Sequence, residues 1–98
     1  MFPHLYVVAH LDAKPGCEAA LRQELMNLIA PTRKEDGCIL YDLHESTVQP
    51  GQFVFYEIWE SQAHLDRHLA TPHLQHLGQV GPDLMAAPAR VLTYTRIA

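Results

Sequence analysis

The sequence predicts a single α+β domain of βαββαβ order, the split-βαβ or ferredoxin-like arrangement, with its strands in an antiparallel sheet. Three observations predict it: four segments with strand patterning, helical spacing of apolar residues in the stretches after the first and third of them, and a Pro-Gly turn joining the second to the third. The 98 residues make one domain, 1–98, without an internal linker or low-complexity segment. Apolar residues make up 48% of the chain and charged residues 18%, a balance that supports a packed core. A chain this short buries a modest fraction of its surface, so a partner subunit is expected.

His4 to Leu11 is mostly apolar, with β-branched and aromatic members, and reads as the first strand. After Lys14-Pro15-Gly16, the residues Leu21, Leu25, Leu28 and Ile29 recur at helical spacing, and Glu18 precedes Arg22 by one turn as a favourable surface pair. Pro31 is expected to end this helix. Asp36-Gly37 turns the chain into a second strand, Cys38 to Glu45, whose alternation puts Ile39, Tyr41, Leu43 and Glu45 on its apolar face. In Gln49-Pro50-Gly51-Gln52, Pro and Gly occupy the central positions of a type II turn, so the third strand, Phe53 to Trp59, closes a hairpin. Ser61 is a cap for a helix with Leu65 and Leu69 on one stripe, and Thr71-Pro72 restarts it with a second cap and a first-turn proline. Leu74, Leu77 and Val80 carry the stripe to Gly81-Pro82. Ala89 to Ile97 alternates again and supplies the fourth strand.

Clean alternation in the third strand points Phe53, Phe55, Glu57 and Trp59 one way and Val54, Tyr56 and Ile58 the other. Both faces are apolar. The helices cover one, and a twofold-related copy is expected on the other, giving a homodimer paired through its sheets. A formal net charge of -4, with seven scattered Lys and Arg, excludes the basic stripe that nucleic acid or an anionic membrane would need. No apolar run approaches a membrane span, and two cysteines with no signal-like opening segment point to a reducing cytoplasm. Cys17, at a helix start where the dipole favours a thiolate, reads as a small buried hydrophobe.

Glu57 interrupts an apolar strand. A buried carboxylate is costly unless it is paired, hydrogen-bonded or held neutral, so Glu57 is a candidate acid or base, or else a tied structural carboxylate. Trp59 either plugs the core or forms the flat wall of a pocket for an aromatic ligand. His64, His68, His73 and His76 crowd the second helical region. His64 and His68 lie one turn apart, but Leu65-Asp66-Arg67 between them lacks the glutamate of an H-E-x-x-H zinc site, and no metal is expected. His68, beside Leu69 on the core stripe, can lean into a cavity between helix and sheet. His73 would hang over the mouth of that cavity, its imidazole biased toward neutrality by a helix N-terminus. His64 and His76 read as exposed helix residues. No glycine-rich phosphate loop, G-x-S-x-G elbow or C-x-x-C pair is present, so no cofactor is expected.

The element order, together with Pro15-Gly16, Gly37-Cys38-Ile39-Leu40-Tyr41, Phe55-Tyr56-Glu57-Ile58-Trp59 and the Ser61, Leu65, His68, His73 spacing, resembles the antibiotic biosynthesis monooxygenase family, its quinol monooxygenase-like members in particular. The resemblance covers nearly the whole chain. It implies a dimeric α+β barrel in which two sheets pack face to face, with a pocket in each subunit between helices and sheet. Family members include metal-free and flavin-free oxygenases of quinols and polycyclic phenols, heme-degrading relatives, and isomerases of a phosphorylated sugar. The heme-degrading branch has an Asn on the first strand where this chain offers Val8, Ala9 and His10, which argues against heme. Arg33, Lys34, Arg67 and Arg90 are too dispersed to show the phosphate site of an isomerase.

The expectation is therefore a cofactor-independent monooxygenase that oxidises a quinol-like or phenolic small molecule with O2. His68 or His73 would take the phenolic proton, Glu57 would orient the histidine or hold a hydroxyl, and Trp59, Phe55, Tyr41 and His64 would bind the substrate, Tyr41 by bonding the developing phenolate. The alternatives are an isomerase with paired His and Glu, and a non-enzymatic dimeric binding module.

Overall fold

The computed structural model describes residues 3–98; residues 1 and 2 of the expected domain lie outside the described residues. The order is β1 (Leu5–Asp12), α1 (Glu18–Met26), α2 (Ile29–Arg33), β2 (Cys38–Glu45), β3 (Gln52–Trp59), α3 (Gln62–Leu69), α4 (Pro72–Leu84) and β4 (Arg90–Tyr94). The strands form one antiparallel sheet in the order β2-β3-β1-β4, with the helices packed on a single face. This is the ferredoxin-like arrangement that the sequence predicts.

Register carries the side chains that matter into rows across the sheet. Tyr41 pairs with Glu57 and Glu57 with Val7, while Leu43, Phe55, Ala9 and Val91 form the next row. These positions point toward the helices because side chains of directly paired residues share a face. Beneath the helices, Val7, Leu21, Leu25, Leu28, Tyr41, Phe53, Phe55, Trp59 and Leu65 form the core, and each fully buried large side chain contributes roughly 1.5–3 kcal/mol. Gly51 takes φ 87°, the left-handed conformation that the third residue of a type II turn requires, and Gln52 N–H closes the turn onto Gln49 at 3.3 Å.

Local departures from the sequence pattern have identifiable causes. A β-bulge between Cys38 and Leu40 leaves Ile39 unpaired and 47% exposed, so Cys38 and Tyr41 face the core, where strict alternation would have put Ile39. Pro31 does not end the helical region: the chain pauses at Asn27 and Leu28, and Pro31 sits in the first turn of α2, where its missing N–H leaves no bond unmade. Pro82 lies inside α4, which runs on to Leu84, so Gly81-Pro82 does not end the helix. In α3 the buried stripe is Leu65 and His68, with Leu69 47% exposed. The last strand is shorter than its alternating pattern, ending at Tyr94, and Ile97 is exposed. The opposite sheet face, with Tyr6, Val8, Tyr56, Ile58 and Tyr94 along a shallow groove, is covered by none of the described residues.

Candidate active site

Strand β3 places Glu57 between Tyr41 of β2 and Val7 of β1, on the helix-covered face and only 3% exposed. Its carboxyl accepts the Trp59 indole N–H at 2.8 Å. Burial raises the Glu57 pKa to about 7; the indole bond opposes the rise and the negative charge of Glu35 adds to it. Trp59 is fully buried and lies behind Glu57, so it presents a hydrogen-bond donor to the acid and no free ring face to a ligand.

Tyr41 stacks on Phe55 with ring centroids 4.6 Å apart and meets the His68 ring edge-on at 5.3 Å. Burial, and then the charge of Glu57, pushes its phenol well above the usual tyrosine range, so it stays a neutral hydroxyl. The Thr32 hydroxyl beside it is the one buried polar side-chain atom left without a full hydrogen bond among the described residues.

His68 reaches this layer because the Ser61 cap, accepting from His64 N–H at 3.3 Å, fixes the start of α3, and Leu65 and His68 fall three residues apart on its inner face. Its Nδ1 lies 2.8 Å from Glu35 Oε2, and His73 Nε2 lies 2.8 Å from the same oxygen. A carboxylate oxygen only accepts, so both imidazoles donate to it. That assigns the His68 proton to Nδ1 and leaves Nε2 with a lone pair when the ring is neutral. Among the described residues nothing bonds Nε2. Burial lowers the His68 pKa against the opposing pull of Glu35, which favours the neutral ring.

A cavity of about 240 Å³ lies between the sheet and the helices, with Tyr41, Phe55, Glu57 and His68 in its wall. Leu28, Leu65, Leu74, Leu77 and Met85 close it from the helical side, and Ala9, Leu11 and Val91 from the sheet. A larger hollow of about 590 Å³ near His10, His44 and Arg90 is open and lacks a buried acid or base. The smaller cavity is therefore the stronger candidate for chemistry.

Of the residues singled out in the sequence, the structure brings Tyr41, Phe55, Glu57 and His68 to one cavity. Trp59 acts on it through Glu57. His73 is off the wall and touches it through Glu35. His64 is elsewhere: its Nδ1 meets Ser61 Oγ at 2.7 Å and its Nε2 faces Asp36 and Glu60, 3.5 and 3.6 Å away. His76 is exposed beside Glu24. Cys38, half-buried, has its thiol pushed up to about 11 by burial and by the charges of Glu35 and Glu57, so it is no thiolate nucleophile.

Sequence reasoning missed Glu35. It sits among charged neighbours in the turn before Gly37, and its two partners are 33 and 38 residues further along the chain. No local pattern marks such a residue.

The model of the antibiotic biosynthesis monooxygenase family matches residues 4–79. A Mycobacterium tuberculosis protein is 42% identical over 86 residues, 87% of this chain and 83% of that one. The Escherichia coli protein YgiN is 29% identical over 99 residues, 90% of this chain and 95% of that one. Both carry provisional monooxygenase names, quinol monooxygenase for YgiN. A Synechocystis relative of uncharacterised function is 32% identical over 90 residues, and the chain spans 61% of that protein's length. Among solved structures, one from Pseudomonas aeruginosa superposes with a TM-score of 0.94 at 34% identity, over 100% of this chain and 98% of the other.

Proposed function

This chain belongs to the antibiotic biosynthesis monooxygenase family, and from that premise we propose that it is a cofactor-independent monooxygenase that oxidises a quinol-like or phenolic small molecule with O2. One observation carries the proposal: a buried histidine, its Nδ1 bonded to Glu35, in the wall of a cavity otherwise lined by apolar side chains, Tyr41 and Glu57. Such a reaction needs a base beside an apolar binding surface.

His68 Nε2 takes the phenolic proton, and Glu35, bonded to Nδ1–H, stabilises the imidazolium that results. The phenolate is electron-rich enough to pass one electron to O2. The radical pair combines at a ring carbon and the peroxide takes back the proton held by His68; loss of that carbon's own proton with cleavage of the O–O bond then leaves one oxygen on the ring as a carbonyl and releases the other, with both protons, as water. The substrate supplies both electrons, so no external reductant enters the balance. Phe55 and Tyr41 offer stacked aromatic surface to the ring, the Tyr41 hydroxyl donates to the developing oxyanion, and Glu57, near neutrality in its pKa, holds a second hydroxyl. A volume of 240 Å³ suits a one-ring or two-ring substrate.

An isomerase on the same scaffold would use Glu57 and His68 as its acid and base. Among the described residues no Lys or Arg lines the cavity, which disfavours a phosphorylated substrate. A twofold-related copy seated on the uncovered sheet face completes the assembly, consistent with the apolar side chains there. Among the described residues no helix is long and apolar enough to cross a membrane.

The test is oxygen uptake by metal-free protein with benzo- and naphthohydroquinones under ¹⁸O2. The expected result is catalysed uptake with one labelled atom in the product. Uptake at the non-enzymatic rate with every quinol would overturn the proposal.

A further inference from the structure

We propose that Glu35, His68 and His73 form a binding site for a divalent cation of the zinc type, and that filling it switches off the cavity. The site is built from three separate places, the turn after α2, the last turn of α3 and the first turn of α4, and each residue offers one ligand atom. Those atoms, Glu35 Oε2, His68 Nδ1 and His73 Nε2, all lie within 4.8 Å of one another, with both nitrogens 2.8 Å from the oxygen. At metal–ligand distances of about 2.0–2.2 Å, the edges of a tetrahedral site are about 3.3–3.6 Å, so each nitrogen would move apart from the Glu35 oxygen by about 0.5–0.8 Å. Two imidazoles and a carboxylate are also the donor set of three-ligand zinc sites, which leave a fourth position for water.

Burial sets this cluster apart from ordinary surface acids and histidines. The His68 side chain is 2% exposed, Glu35 14% and His73 21%, so the cation would enter past His73 and reside away from bulk solvent. The nearby Asp36, Glu60 and His64 group is the contrasting case: Asp36 is 82% exposed, and the imidazole stands 3.5 Å or more from either carboxylate. The ligand pair here is His68 and His73, across the break between α3 and α4, not the one-turn pair His64 and His68.

The switching step rests on the reading of His68 as the base. A cation on Nδ1 takes the lone pair there, so the single proton of a neutral imidazole must sit on Nε2. Nε2, to which the proposed mechanism gives the role of base, then becomes a donor and can no longer accept the phenolic proton. The proton moves between nitrogens of one ring, and no redox change is involved.

The experiment titrates the chelator-stripped full chain with ZnCl2 by calorimetry, beside Glu35→Gln, His73→Ala and His64→Ala, with circular dichroism to confirm that each is folded. One zinc per chain is expected, weakened about tenfold or more in Glu35→Gln and His73→Ala and unchanged in His64→Ala. No saturable binding, or binding lost only in His64→Ala, overturns the site. In a second arm, stoichiometric zinc should abolish quinol-dependent oxygen uptake and a chelator should restore it. Full activity of the zinc-loaded protein overturns the switch. Absence of any quinol oxidation by the metal-free protein overturns both the oxygenase reading and the switch, while the calorimetry still decides the site.

Discussion

Glu57 is a carboxyl set among Phe53, Phe55 and Trp59 on the buried face of β3, and its pKa of about 7 makes its cost depend on pH. A carboxyl whose folded pKa is raised binds more protons folded than unfolded, so its ionisation erodes stability as pH rises from about 4.5 to about 7. His68 acts in the opposite direction: its lowered pKa means that stability is gained as pH rises toward its unfolded value of 6.5. Glu57→Gln keeps an acceptor for the Trp59 N–H and removes only the first effect. We therefore expect the variant to be more stable than wild type above pH 7, by up to about 3 kcal/mol, with the difference vanishing near pH 4. Urea unfolding across that range measures it, and a pH-independent difference would contradict the assignment. Glu57 was legible because an acid in an apolar strand stands out in one dimension; His68 was singled out for its place beside Leu69, although the buried stripe runs through Leu65 and His68 and leaves Leu69 exposed. Glu35 was not, because it becomes special only when helices α3 and α4 bring two imidazoles to one oxygen. Of the two readings of Trp59, core plug or pocket wall, the structure has it fully buried, and its bond to Glu57 depends on packing.

The joint between α3 and α4 determines whether His68 and His73 can share Glu35. Thr71 Oγ1 donates to the His68 carbonyl at 2.7 Å and accepts the Leu74 N–H at 3.4 Å, tying the end of one helix to the start of the next. Thr71→Ala removes both bonds. It should cost about 1 kcal/mol in equilibrium unfolding and lower turnover more than stability alone explains, because the two imidazoles lose their mutual register. Unchanged turnover at reduced stability would show that the joint is structural only. The caps at Ser61 and Thr71 could be read from sequence because capping is local chemistry. The bulge at Ile39 could not: strict alternation puts Ile39 on the apolar face with Tyr41, and only the pairing of Cys38 with Trp59 and Leu40 with Ile58 across the hairpin shows the extra residue. Pro31 and Pro82 misled for a related reason, since a proline ends a helix only where its missing N–H and its ring meet an obstacle.

At the scale of the molecule, the sequence pattern was enough for the sheet and its covering helices, because alternating apolar residues in four segments leave few ways to bury them. It also showed that β3 is apolar on both sides. The structure leaves Tyr56, Leu92 and Tyr94 exposed on the uncovered face, and that much aromatic and aliphatic surface fits a second copy of the chain. Sedimentation should give twice the 11.1 kDa chain mass, and Tyr56→Glu, which sets a charge on the uncovered face, should shift the protein toward monomer. A wild-type monomer at micromolar concentration would contradict the paired-sheet assembly. The cavity lies on the other side of the sheet and takes Tyr41, Phe55, Glu57 and His68 from a single chain, so a monomeric variant should still bind substrate. The proton step in that cavity is tested most directly without oxygen, by mixing a naphthohydroquinone anaerobically with metal-free protein at neutral pH and recording its absorption. The wild type should convert bound quinol to its phenolate and His68→Ala should not; a phenolate spectrum of equal strength in both would remove His68 as the base.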